Sequence, residues 1–173
     1  MAAAVALMWV VAVPHPPTAT DGVRADDVRT KGLPPRLRVY RQRGTTADRL
    51  ATGAVARQGD VVQVGVVAGS ATHGVVVSLD GRGEVTVHQP PGGHGSTALG
   101  SGELQLPQGY ELDDAPAYER FFLVTTDGAG DVDVGRVVGA AKALAGRDDA
   151  RTAPLELPSG YRQTAFLLRK EQR

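Results

Sequence analysis

The stretch Glu111-Leu-Asp-Asp-Ala-Pro-Ala-Tyr-Glu-Arg-Phe-Phe122 gathers the chain's densest set of chemically able side chains. Asp113 and Asp114 are adjacent, and Glu119 and Arg120 follow a proline turn. Paired carboxylates do acid–base work when they face one another across a substrate. In extended backbone, however, adjacent side chains point to opposite sides. Asp113 and Asp114 therefore converge only through a turn, which Asp114-Ala115-Pro116 supplies, because proline fixes φ and aspartate bonds nearby amides. Arg120 shares its face with Phe122, and a desolvated guanidinium requires a partner. Asp113 and Asp114 are the nearest candidates in sequence. The expectation is an Arg–Asp clamp that fixes loop 107–118 to the following strand. Asp113, Asp114 and Arg120 also stand as candidate binding residues.

Histidine is the other versatile group. His88 and His94 flank Gln-Pro-Pro-Gly-Gly, and His73 lies one hairpin away. Three imidazoles could bind zinc, yet this spacing fits no metal motif and no helix places two on one face. His88 is expected at a solvated strand end and His94 in a loop, both kept as binding candidates. Ser78, Ser96 and Ser101 could serve nucleophilic catalysis only beside a base. The chain has no Gly-x-Ser-x-Gly elbow, no Gly-x-x-x-x-Gly-Lys-Ser/Thr and no Gly-x-Gly-x-x-Gly. No catalytic residue, metal or cofactor is therefore assigned.

The elements that must position these residues are mostly strands. Period-two or β-branched runs occur at 36–43, 61–69, 74–79, 84–88, 103–107, 119–126 and 162–170. Residues 61–69 are continuous enough to be covered on both faces. Asp80-Gly81-Arg82-Gly83 is a turn, and 61–88 reads as a three-strand meander. Residues 48–60 read as turn-rich, and 89–102 as a loop by composition. The one helix falls at about 133–146. Val134, Val137, Val138, Ala141, Leu144 and Ala145 form a 3.6-period face, Asp131 or Asp133 is the cap, and Gly146 the stop. Gly135 and Gly139 weaken it and would let it lie close to a sheet. The fold class is mainly β, an antiparallel β-sandwich or open barrel with one packed α-helix, in a single domain over 36–170.

Composition narrows function further. The 173 residues carry 19 basic and 19 acidic side chains, so there is no net field to hold a phosphate backbone and no nucleic-acid partner is expected. The one basic stripe, Arg36, Arg38, Arg41 and Arg43, reads as a charged strand edge. The absence of cysteine removes disulfides, thiolate nucleophiles and thiolate-held metals. Residues 1–13, MAAAVALMWVVAV, are uniformly apolar, but 13 residues rise only about 20 Å against a hydrocarbon core of roughly 30 Å. The run fits the C-terminal part of a membrane helix that begins upstream, a signal-sequence core without its basic flank, or a buried core segment. The first reading is preferred. Residues 14–35, rich in Pro, Thr and charge, read as a flexible linker.

VVVSLDGRGEVTVHQP (75–90), LPQGYELDDAPAYERFFLVT (106–125), the Ala-rich helix, the closing LP…FLLRK and VRTKG at 28–32 carry a resemblance. Together they resemble a family from myxobacteria and their relatives, the ActD-like proteins, and are similar to the C-terminal domains of anti-sigma-factor-like membrane proteins. The resemblance spans about 28–170 and implies a cytoplasmic segment, one membrane helix and then this β domain. It implies no reaction.

Three functions follow. The preferred one is a non-catalytic extracytoplasmic domain of a single-pass membrane protein, anchored at the inner membrane, that senses or binds protein. The second is a soluble periplasmic ligand-binding domain with loop 89–102 as its rim. The third is a metal-dependent or hydrolytic enzyme using His88, His94 and Asp113 or Asp114.

Overall fold

A computed structural model describes residues 34–126 and 130–171. The apolar run 1–13 and nearly all of the expected linker lie outside these residues.

Among the described residues, ten strands and one helix follow in order: β1 Arg36–Arg43, β2 Thr46–Leu50, β3 Ala54–Arg57, β4 Val61–Val67, β5 His73–Asp80, β6 Val85–Gln89, β7 Thr97–Ala98, β8 Glu103–Glu111, β9 Tyr118–Thr126, α1 Val134–Ala145 and β10 Tyr161–Glu171. Four strands form one sheet in the order β2-β1-β4-β8, and five form the spine of the other in the order β3-β10-β9-β5-β6, with β7 added to β5. All pairings are antiparallel except β3 with β10. The mainly β sandwich with one packed helix is thus the fold.

Two apolar layers hold it. Between the sheets, Val39, Val62, Val64, Val66 and Leu106 meet Val76, Phe121, Leu123, Phe166 and Leu168. Outside the larger sheet, Val75, Val77, Leu79, Phe122 and Val124 meet the α1 face formed by Val134, Val137, Ala141 and Leu144. Central strands β5 and β9 therefore carry apolar side chains on both faces. β4 does not: only Val62, Val64 and Val66 enter a core, while Gln63 and Val67 are half-buried.

The meander is corrected. β5 and β6 form the expected hairpin, but β4 pairs with β1 and β8 in the opposite sheet. Residues 68–72 carry the chain across the sandwich. The turn-rich reading of 48–60 is also corrected, because that stretch holds β3 and the end of β2. β2 is almost wholly exposed, so no apolar alternation marks it; its backbone pairing to β1 alone makes it a strand. β8 continues beyond residue 107 to Glu111, accommodating Pro107 because it is an edge strand.

The helix lies where its period places it. Asp133 caps it, accepting the Arg136 amide at 3.0 Å, and Gly146 terminates it. Gly135 and Gly139 do not face the sheet: an added Cβ at Gly139 would meet nothing within 4 Å.

Candidate functional site

The acidic stretch folds into a tight turn before β9. The Asp113 carboxylate accepts the Ala115 amide at 3.0 Å, which bends the chain into Pro116. Ala117 has φ of 70°, and the Tyr118 amide bonds the Pro116 carbonyl at 2.9 Å across it. This is a γ-turn with positive φ, a strained form for a residue with a Cβ. Backbone contacts fix it. Lys170 donates its amide to the Ala117 carbonyl at 2.9 Å, and Gly81 donates to Tyr118 at 3.0 Å. A Cβ at Gly81 would lie 1.7 Å from the Pro116 oxygen, so glycine is required there by close approach.

The expected Arg–Asp clamp is not formed. Asp113 takes the Lys170 ammonium at 2.5 Å, with Arg82 at 3.8 Å, and Asp114 takes Arg82 at 2.7 Å. Both carboxylates thus converge on Arg82, brought together by the turn. Arg120 lies on the other face of β9, above the Phe122 ring at 4.5 Å. Its guanidinium donates to the carbonyls of Ala150 at 2.9 Å, Ala153 at 2.6 Å and Thr152 at 3.2 Å. These close the turns that follow α1. The strand alternation that pairs Arg120 with Phe122 also carries it away from Asp113 and Asp114. Burial lowers the Arg120 pKa.

Between the sheets lies a second polar group, which sequence reasoning missed. His88 is buried, not solvated. Val85 and Val87 face α1, so the opposite face of β6 looks into the sandwich, and His88 there meets Tyr110 edge-on at 4.2 Å and Phe121 at 5.5 Å. Its Nε2 lies 2.8 Å from Ser78 Oγ. His88 Nδ1 and the Tyr110 hydroxyl are buried with no hydrogen-bond partner among the described residues.

The electrostatics follow from that placement. Burial pulls His88 down to about 4 and pushes Tyr110 up to about 12. Burial also raises Glu119, and the nearby Ser78 hydroxyl and Lys170 charge offset it only in part. For Asp113, burial raises the pKa, but the bonds from Lys170 and the Ala115 amide, with the charges of Lys170 and Arg82, outweigh it and hold it below the usual carboxylate range.

The remaining candidates stay apart. His94 is exposed in its loop, and His73 sits 3.7 Å from Asp131 at the far end of β5. Among the described residues no group of three or more His, Asp or Glu is arranged to hold a metal ion. The arginine stripe is neutralised piecewise: Arg38 by Glu103, Arg41 by Asp60 at 3.4 Å and Arg43 by Asp48 at 3.4 Å.

One open concavity of about 490 Å³ lies over β3 and β10, lined by Val55, Ala117, Arg151, Arg169, Lys170 and Glu171. α1 contacts β5 and β6, and the turns after it cover β9, so this part of the sheet is left bare. Val55 is 42% exposed there.

Comparison with known proteins finds no matching family model, no matching curated protein and no matching solved structure.

Proposed function

We propose that this chain is a non-catalytic protein-interaction domain, held at the cell envelope by its N-terminal apolar segment. One observation carries the non-catalytic reading: the Ser78–His88 pair is sealed between the sheets with no carboxylate on the imidazole's far nitrogen among the described residues. In a hydrolytic triad the imidazole stands in the middle, taking the serine proton on one nitrogen and held by a carboxylate on the other. Ser78 is 2% exposed and His88 7%, so a substrate would have to part the sheets to reach them.

The His88–Ser78 bond and the Asp113–Lys170–Arg82 clamp are best read as ties between strands and turns. Recognition then falls to the surface, and the bare half of the larger sheet offers the combination interfaces favour, an apolar contact beside arginines. The envelope location rests on the apolar run 1–13 and on the resemblance to ActD-like proteins. Among the described residues no helix is long and apolar enough to cross a membrane.

A fluorophosphonate probe tests the chemistry. The folded chain should leave Ser78 unlabelled, and labelling lost on Ser78→Ala would overturn the reading. Photo-crosslinking in the native host tests recognition. A benzophenone at position 55 should give a discrete protein adduct, while one at position 47 on β2 should not.

A further inference from the structure

The concavity over β3 and β10 shows what kind of partner the interaction reading requires. Its charge comes from two side chains. Lys170 is committed to Asp113 at 2.5 Å, and Glu171 to Arg57 at 2.8 Å. Arg151 and Arg169 have no carboxylate partner among the described residues. Arg169 is already oriented, because its Nε donates to the Gly53 carbonyl at 2.7 Å. That bond leaves its terminal nitrogens free, and a guanidinium fixed by one bond loses less entropy on taking a carboxylate.

The rest of the surface points the same way. Val55 pairs in register with Arg169 across β3 and β10, so an apolar side chain lies directly beside the cation. The Val55 carbonyl takes Arg41 at 3.2 Å and the Arg57 amide takes Asp60 at 3.0 Å. The outer edge of β3 is thereby capped, and a partner cannot simply extend the sheet there. It must be read through side chains in the concavity. Ala117, the one non-glycine with positive φ among the described residues, lines the same hollow. Strained backbone of this kind clusters at binding sites.

We propose that this concavity docks an extended acidic segment of a partner protein, with carboxylates on Arg151 and Arg169 and an aliphatic side chain on Val55. The proposal rests on the interaction reading above. A polynucleotide fits less well: the chain has no net charge, and three of the four arginines in the other cluster are neutralised, so no basic track leads from the hollow.

The test uses the full chain and a fluorescein-labelled ten-residue peptide with Glu and Val alternating at every second position and Ser between them, so that both lie on one face of the extended chain, followed by anisotropy. Saturable binding is expected, weakening at least tenfold in the Arg151→Glu/Arg169→Glu double variant and less than twofold in Arg36→Glu/Arg49→Glu on the other sheet. A Lys–Val peptide should bind the double variant better than the native chain. All four arginines are on the surface, and circular dichroism checks that each variant folds. If the charge reversal unfolds the chain, Arg151→Gln/Arg169→Gln should still lose at least threefold. Absence of saturable binding, insensitivity to these substitutions, or tighter binding of a single-stranded oligonucleotide of equal charge overturns the proposal. If the position-55 adduct persists unchanged in the double variant, the acidic-segment assignment fails while the interaction reading stands.

Discussion

Glu119 and Arg120 are neighbours in sequence on opposite faces of β9, and the protein buries their charges in different ways. Arg120 faces the turns after α1 and is supplied by three backbone carbonyls. Glu119 faces the other sheet near Ser78, which bonds His88, whose far nitrogen has no partner among the described residues. Carbonyls do not titrate, so the Arg120 side is insensitive to pH. The Glu119 side is built from groups whose charge changes with pH. The contrast teaches that a buried charge can be made permanent by backbone dipoles or left conditional by side chains.

The largest expected effect strikes the permanent side. Arg120→Met keeps the stem over Phe122 and removes all three bonds. With charge-assisted bonds worth about 1.5 kcal/mol apiece, the loss should be roughly 4 kcal/mol, read as a lower urea midpoint at unchanged slope. A change below about 0.5 kcal/mol would mean that water already serves these carbonyls, and the contrast would collapse.

The conditional side should break with acid. His88 sits near 4 when folded and at the ordinary 6.5 when unfolded. Its lowered folded pKa means that the unfolded chain takes up the proton first. Stability is therefore complete above about pH 6.5 and is lost as pH falls toward 4, by up to about 3 kcal/mol. Glu119, raised by burial, shifts stability in the opposite direction, so wild type should be compared with His88→Phe. That variant fills the space against Tyr110 and Phe121 without a proton site. Its stability should fall less between pH 7 and 4.5 by that amount. Parallel curves would show that His88 is solvated and unshifted in the native state, and a wild type that gains on the variant with acid would show that it is protonated there.

How much of this was readable in advance depends on whether the signal is local. α1 was legible to its caps, because a 3.6-period face, Asp133 and Gly146 all lie within one short segment. The β5–β6 hairpin was legible from Asp80-Gly81. Arg120's need for a partner was legible too, from its face shared with Phe122. The partners were not, since the carbonyls of Ala150, Thr152 and Ala153 carry no mark of residue type and lie some thirty residues away. Ser78 and Lys170 left a trace that strand period could have exposed. Ser78 follows Val76, and Lys170 follows Phe166 and Leu168, each at a buried position of its strand. β2 left none, because it is defined by pairing and not by burial, and β3 is four residues long with only alanines, Ala54 and Ala56, turned to the core. The basic concavity joins β3, β10 and the turn after α1, a conjunction that only the topology makes.

A smaller effect sharpens the comparison at the edge of the conditional side. Lys170 is buried, yet its partner Asp113 is 54% exposed. Lys170→Met keeps the apolar stem and leaves a carboxylate that water can reach. The expected loss is about 1 kcal/mol, far below that of Arg120→Met, because no buried charge is stranded. Thermal unfolding of the two variants side by side measures the ratio. Equal losses would mean that Asp113 is desolvated in the native fold.

The smallest expected effect concerns the turn that joins the two sides. Ala117 holds φ of 70°, a conformation that glycine adopts without steric penalty. Ala117→Gly removes that strain but frees the unfolded chain, and the two terms oppose each other. Because an alanine in this region is strained by about 1–3 kcal/mol, relief should exceed the entropy term, and stability should rise by up to about 1 kcal/mol. The same substitution should leave the Arg120 loop untouched, so combining it with Arg120→Met should give additive changes in urea unfolding. Non-additivity beyond about 0.5 kcal/mol would mean that the turn and the Arg120 loop report on each other through β9, and that the two faces of the strand are not independent.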